Sequence, residues 1–199
     1  MKTKMNVKKK GILLVSIFGV VVIGIFVAVN LYIVVSTPKQ FMITSENYFD
    51  YQSHYECAGY SSAYVLRNLG EDITGLELYN AISNKNSDGT VAPKALVSFL
   101  NGKGYLVNLY SGTMWQLKHE VSKGTPVIAF LRTSPEEDYY HYLPIVGYDT
   151  ENIYAAESLQ YKKNADNAHY NRIIKKSDFE KMWETEIFKK NIYITIQLR

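Results

Sequence analysis

From Gly11 to Ser36 the chain runs for 26 residues without a charged side chain. Roughly 20 apolar residues are enough to cross the hydrocarbon core of a bilayer as a helix, the form in which every backbone group is paired within its own segment. Ahead of the run, Lys2, Lys4, Lys8, Lys9 and Lys10 occupy a ten-residue tail that has no acid; behind it Lys39 is soon followed by Glu46 and Asp50. The positive-inside rule predicts residues 1–10 as a cytoplasmic tail, residues 11–36 as a single-pass signal-anchor in the cell-membrane bilayer, and the remainder as extracellular. A cleavable signal peptide is the rival reading. Its apolar core should span about 7–15 residues and end in an A-x-A-like site. This run is longer, Val34 to Ser36 make a poor site, and Pro38 stands close behind.

The tail also accounts for the basic balance. The 199 residues carry a formal net charge of +3, whereas residues 37–199 taken alone carry −2. No basic stripe with interleaved aromatics is left in them, which argues against a nucleic-acid partner. Prolines and glycines are scattered, so the exported part reads as one domain, residues 48–199, after a short linker or first strand at 37–47. The single cysteine, Cys57, excludes a disulfide framework within the chain and a Cys-rich metal site. Nothing in the sequence calls for a metal or a cofactor.

Start and stop signals set out the elements. Residues 58–69 have apolar positions at helical spacing, with Gly70 as a stop. Thr74-Gly75-Leu76-Glu77 and Thr113-Met114-Trp115-Gln116 are capping boxes that open helices through about Ile82 and up to Gly124. Pro93 starts a helix over 94–101. Ser177 is expected to cap a helix through Trp183. Strands are predicted at 105–110, 126–131, 140–148, 152–156 and 191–198, the third nearly continuous in apolar residues and so central. Helices first and a mostly antiparallel sheet after them make an α+β fold, with the helices packed to one side.

Cys57 opens the first of these helices. A thiolate there faces unpaired N–H groups and the positive end of the helix dipole, a setting that favours a nucleophile; the alternative is a packed cysteine beginning a core helix. His141 begins the central strand, after the polar stretch Pro135-Glu136-Glu137-Asp138. His54, His119 and His169 lie on a loop, beside Lys118 and Glu120 on a solvated helix face, and in a polar stretch, and read as poorer candidates. Asp149 is too far along the strand, about 26 Å from His141, to orient its ring. If residues 149–151 form a three-residue hairpin loop, Tyr148 faces Asn152, Leu143 faces Glu157 and His141 faces Leu159. His141 and Glu157 then share a face as diagonal neighbours about 7–8 Å apart, and a slip of one residue would turn Glu157 away. Gln52, five residues before Cys57, is either a loop glutamine or an oxyanion donor acting with the backbone N–H of Cys57.

Taken together these stretches resemble the papain-like cysteine peptidases of the bacteriocin-processing type, the peptidase C-39-like family. Tyr51-Gln52-Ser53-His54-Tyr55-Glu56-Cys57-Ala58-Gly59-Tyr60-Ser61-Ser62-Ala63 is similar to its Gln…(Asp/Asn)-Cys-Gly…Ala signature. Gly124-Thr125-Pro126-Val127-Ile128 and His141-Tyr142-Leu143-Pro144-Ile145-Val146-Gly147-Tyr148-Asp149 resemble two of its strands. Ile153-Tyr154-Ala155-Ala156-Glu157 falls where the family has a strand ending in Asp-Pro, and Ser177-Asp178-Phe179-Glu180-Lys181-Met182-Trp183 resembles its late helix. The resemblance runs in order over roughly residues 48–197. It implies a papain-like fold with Cys57 as nucleophile, His141 as base and then acid, Glu157 in place of the orienting Asp, and Gln52 at the oxyanion hole. The chain departs from the pattern in having Ala58 after the cysteine, Glu for Asp, and no Pro after Glu157. No ATP-binding cassette follows, so a stand-alone form is expected.

The expected function is a membrane-anchored hydrolase of peptide or isopeptide amides, its substrate a peptide or protein outside the cell. The alternatives are a peptidase-like domain without turnover that binds a partner at the cell surface, and an acyltransferase using the same Cys57–His141 pair.

Overall fold

The computed structural model describes residues 7–185 and 190–199, with side chains from Leu14 onward. Of the basic tail, residues 1–6 and all five lysine side chains lie outside the described residues. The chain divides into two compact units, Met1–Thr37 and Pro38–Arg199.

The first unit is one helix, α1 (Val7–Ser36). Its segment Leu14–Ser36 is 23 residues long, with a mean hydropathy of 2.7 over an 18-residue window; it makes about 35 Å of helix at about 1.5 Å per residue, against a hydrocarbon core of about 30 Å. Large apolar side chains such as Phe18, Phe26 and Val35 stand open on its surface. Its polar side chains turn back onto their own backbone: Asn30 Nδ2 donates to the Phe26 carbonyl at 2.8 Å and Ser36 Oγ to that of Tyr32 at 2.7 Å. The helix is long and apolar enough to cross a membrane.

The second unit is α+β. In chain order it contains β1 (Phe41–Met42), α2 (Cys57–Asn68), α3 (Gly75–Ala81), α4 (Pro93–Gly102), β2 (Leu106–Ser111), α5 (Met114–Val121), β3 (Val127–Arg132), β4 (Tyr140–Tyr148), β5 (Asn152–Ala155), a 3-10 turn (Gln160–Lys162), β6 (Arg172–Lys175), α6 (Lys176–Trp183) and β7 (Ile192–Gln197). The strands form one antiparallel sheet in the order β2-β7-β3-β4-β5-β6, with β1 added beside β4 where the β3 pairing has ended.

Both capping boxes form, Thr74 with Glu77 and Thr113 with Gln116. Ser177 is not a cap: α6 begins one residue earlier, after Lys175, with no side-chain cap. Neither β6 nor the 3-10 turn is foreshadowed by a sequence signal. Helices cover both faces of the sheet, where the sequence reading placed them on one. Ile128, Tyr142, Ile194 and Ile196 pack against α2 and α4 through Ala58, Leu66, Leu96 and Leu100. Ala129, Leu131, Leu143 and Ile145, from the alternate positions, pack against Leu117 and Val121 of α5 and Phe179, Met182 and Trp183 of α6. The nearly unbroken apolar runs of β3 and β4 are the mark of strands buried on two sides.

Two glycines set the spacing of α2 and α3. A Cβ on Gly59 would lie 2.4 Å from Cβ of Tyr79, and one on Gly75 2.4 Å from the ring of Tyr60. Lys118 is buried and not on a solvated face; its Nζ donates to the Asp149 carbonyl at 2.9 Å and lies 4.6 Å from the centre of the Tyr148 ring.

Candidate active site

Helix α2 is buried from Ala58 to Leu66, and its first residue, Cys57, is half-buried at the edge of a cleft. The residue before it, Glu56, caps nothing with its side chain; its carboxylate instead accepts the His54 N–H at 2.6 Å, which tightens the turn into the helix. Ser61, one helical turn beyond Cys57, donates to the Tyr142 carbonyl at 2.6 Å and so ties α2 to β4 next to His141.

His141 is almost fully buried. Its Nε2 lies 2.8 Å from Oε1 of Glu157, and the Cys57 sulfur lies near enough to the ring to act on its charge. With Nε2 held by the carboxylate, Nδ1 is the nitrogen left to face the sulfur. Burial by itself would lower the pKa of the imidazole, but the Glu157 carboxylate and the Cys57 sulfur outweigh it and raise the value to about 9. Burial would likewise raise the pKa of Glu157; His141, Arg172 and the Leu159 N–H outweigh it and hold the carboxyl at about 2. The carboxylate thus stabilises the imidazolium, the form the ring takes once it holds a second proton.

Glu157 reaches His141 by a route other than the hairpin expected. Tyr148 pairs with Ile153, not Asn152, a slip of one residue. Asp149 closes the loop by accepting the N–H groups of Glu151 and Asn152 and the Tyr154 hydroxyl. A slip carried through would have turned Glu157 to the other face. An irregularity between Ile145 and Gly147 absorbs the extra residue, Ile145 pairs with Ala155, and the Ala156 N–H donates to the Pro144 carbonyl at 2.9 Å. Beyond this bulge the register is the one first expected, and Glu157 shares the face of His141.

Gln52 lines the same cleft. Its Nε2 donates to the His54 carbonyl at 2.5 Å and its Oε1 accepts from Ser158 Oγ at 2.6 Å, which leaves one amide hydrogen for another acceptor. His54 also borders the cleft, whereas His119 and His169 do not.

Two residues of the site lie in stretches that gave no signal. Arg172, on β6, places Nη1 2.5 Å from Oε2 of Glu157 and Nη2 2.8 Å from the Thr133 carbonyl. Asn171 accepts the Glu157 N–H at 2.6 Å and donates to the Glu157 carbonyl at 2.9 Å.

The cleft has a volume of about 1280 Å³. Phe130, Tyr140 and Tyr142 form a ring cluster on one wall, with centroids 5.2 Å apart for Phe130–Tyr140 and 4.9 Å for Phe130–Tyr142. The segment from Asn86 into the first turn of α4 at Lys94 borders it as well.

A half-buried cysteine at a helix start, sharing a cleft with an imidazole that a carboxylate holds from behind, on helices and an antiparallel sheet, describes the cysteine-peptidase fold class. The model of the Peptidase_C39 like family matches residues 41–189, and the chain belongs to that family. Solved structures that share its fold include the following three. A C39-like peptidase described from Bacillus anthracis is 15% identical, covering 81% of this chain and 99% of that one, with a TM-score of 0.60. The peptidase domain of Streptococcus ComA, a bi-functional ABC transporter involved in quorum sensing, is 14% identical over 76% and 98% of the two chains, with a TM-score of 0.59. A double-glycine-motif protease from an AMS/PCAT transporter, in complex with its leader peptide, is 14% identical over 78% and 93%, with a TM-score of 0.54. At these identities the likeness is one of fold. Comparison with curated proteins gives no match.

Proposed function

We propose that the chain is a thiol peptidase, anchored in the cell membrane by α1 with its catalytic unit outside, that hydrolyses a peptide or isopeptide amide through Cys57, His141 and Glu157. The observation that carries the reading is the buried 2.8 Å bond from His141 Nε2 to Glu157, with Cys57 and His141 lining the same cleft.

In this reading the Cys57 sulfur attacks the substrate carbonyl carbon and its proton passes to His141 Nδ1. The oxyanion is met by the Cys57 backbone N–H and the remaining amide hydrogen of Gln52. As the C–N bond breaks, His141 returns the proton to the leaving amine, leaving a thioester on Cys57. Water then attacks the thioester, His141 takes its proton, the C–S bond breaks, and the acid departs as the thiol is restored. Glu157 holds the ring in the tautomer that can accept at Nδ1. A long cleft walled by aromatic rings suits an extended peptide, and the fold shared with a protease bound to a leader peptide supports the same class of ligand.

Alkylation by iodoacetamide at pH 6 tests the reading, because Cys57 is the only thiol in the chain. Cys57 should react far faster than a free thiol. His141→Ala should slow it and should lower cleavage of a peptide library by roughly 10²–10⁴-fold. Reactivity like that of a free thiol, unchanged in His141→Ala, would leave a binding domain without turnover. Transfer of the acyl group to an added amine in preference to water would make the enzyme an acyltransferase.

A further inference from the structure

We propose that Arg172 is a positioning residue of the thiol site: from β6 it fixes Glu157 as an ionised acceptor, so that His141 keeps at Nδ1 a lone pair able to take the Cys57 proton. This inference rests on the thiol-peptidase reading and adds to it a residue from a strand that no motif marks.

The geometry is that of a carboxylate held at both oxygens. Oε1 of Glu157 accepts from His141 Nε2 at 2.8 Å and from the Leu159 N–H at 2.7 Å; Oε2 accepts from Arg172 Nη1 at 2.5 Å. The Glu157 side chain is fully buried and that of Arg172 is 8% exposed. The second arm of the guanidinium is fixed on the Thr133 carbonyl, so the fork cannot swing away from Glu157. A glutamate has one methylene more than an aspartate and therefore one more torsion to be fixed. Here the second oxygen is taken by a planar donor that admits few orientations.

The titratable and charged groups facing this carboxylate are His141 from β4 and Arg172 from β6, with Cys57 of α2 beyond the imidazole. Arg172 also feels Glu137, which is itself paired with Lys162. Without Arg172 a fully buried carboxylate would have only the His141 ring and the Leu159 N–H to hold it, and a buried carboxylate short of a partner takes up a proton. A protonated Glu157 would donate to Nε2. The ring hydrogen would then sit on Nδ1, facing the sulfur, in the tautomer that cannot act as base.

The test is the pH profile of iodoacetamide alkylation of Cys57 in the full-length chain in detergent, for wild type, Arg172→Met, Arg172→Lys, Arg172→Gln and His141→Ala. Arg172→Met should move the acid limb upward by at least about one pH unit, a roughly tenfold loss of rate at a fixed pH on that limb, with the rate recovering at higher pH. Arg172→Lys, which keeps the cation, should leave the limb in place. A folded Arg172→Met whose acid limb coincides with that of wild type overturns the proposal. Should Arg172→Met fail to fold, Arg172→Gln against Arg172→Lys decides: a limb displaced in Gln alone supports the role of the cation, and coincident limbs overturn it. If His141→Ala leaves the wild-type profile unchanged, the thiol-peptidase reading falls and this inference with it; if His141→Ala removes the reactivity at low pH and the arginine variants do not move the limb, only the inference falls.

Discussion

The Ser61 hydroxyl donates to the Tyr142 carbonyl across 2.6 Å, and this single buried bond joins the first turns of the helix that begins with Cys57 to the strand that carries His141. Sulfur and imidazole come from residues 84 positions apart in the chain. Their separation depends on how α2 packs against β4, and the Ser61–Tyr142 bond acts directly on that separation.

Ser61→Ala should therefore cost about 1–3 kcal/mol, the usual range for leaving a buried partner unsatisfied. It should also lower the alkylation rate of Cys57 by more than the stability change alone explains. Urea unfolding and iodoacetamide kinetics on one preparation check both parts.

Stability should depend on pH through the His141–Glu157 pair. The His141 pKa is raised from 6.5 to about 9, so its contribution is fully present below 6.5 and is lost as the pH rises through 9. The Glu157 pKa is lowered from 4.5 to about 2, so its contribution is present above 4.5 and is lost as the pH falls through 2. The pair thus stabilises most between about pH 4.5 and 6.5. Urea midpoints across the range should show both declines in wild type and flatter ones in Glu157→Gln.

Gly59→Ala should destabilise the domain by about 1–3 kcal/mol through overpacking, because the added methyl would meet Tyr79 Cβ at 2.4 Å and its backbone N and Cα at 2.6 Å. At Gly102, the last residue of α4, a Cβ would meet nothing within 4 Å. Gly102→Ala should be neutral or slightly stabilising. A comparison of thermal midpoints separates the two.

The proposed orientation makes a labelling prediction. In a Cys57→Ala background, Arg199→Cys on intact cells should react with a membrane-impermeant maleimide, and Thr3→Cys should react only after the cells are permeabilised. The reverse pattern would overturn the orientation. Loss of the N-terminal label from the mature protein would show a cleaved signal sequence.

Local chemistry was legible along the chain. A 26-residue run free of charge states its own helix, and the capping boxes at Thr74 and Thr113 mark the starts of α3 and α5 within a residue. The nearly continuous apolar runs mark β3 and β4 as buried strands, and the alternation of 191–198 marks β7. Cys57 at a helix start and His141 at a strand start follow from the same local signals, because caps and periodicity act over a few residues. The neighbourhood of Glu157 was only half legible. The face it occupies was read from an assumed three-residue loop, yet the chain makes a longer loop and then a bulge at Val146 that undoes the slip. Strand periodicity has a period of two and gives no sign of two departures that cancel.

What the sequence by itself determined is the inventory: one apolar span, one thiol, the elements that present Cys57 and His141, and an α+β order of helices and strands. Tertiary structure alone decided which face Glu157 took, that Gln52 is bonded to His54 and Ser158, and that Arg172 and Asn171 close around the carboxylate. The reason is physical. Arg172 meets Glu157 across strands, in a contact governed by register and burial, and a charge of that kind carries no periodic or capping signal in its own neighbourhood.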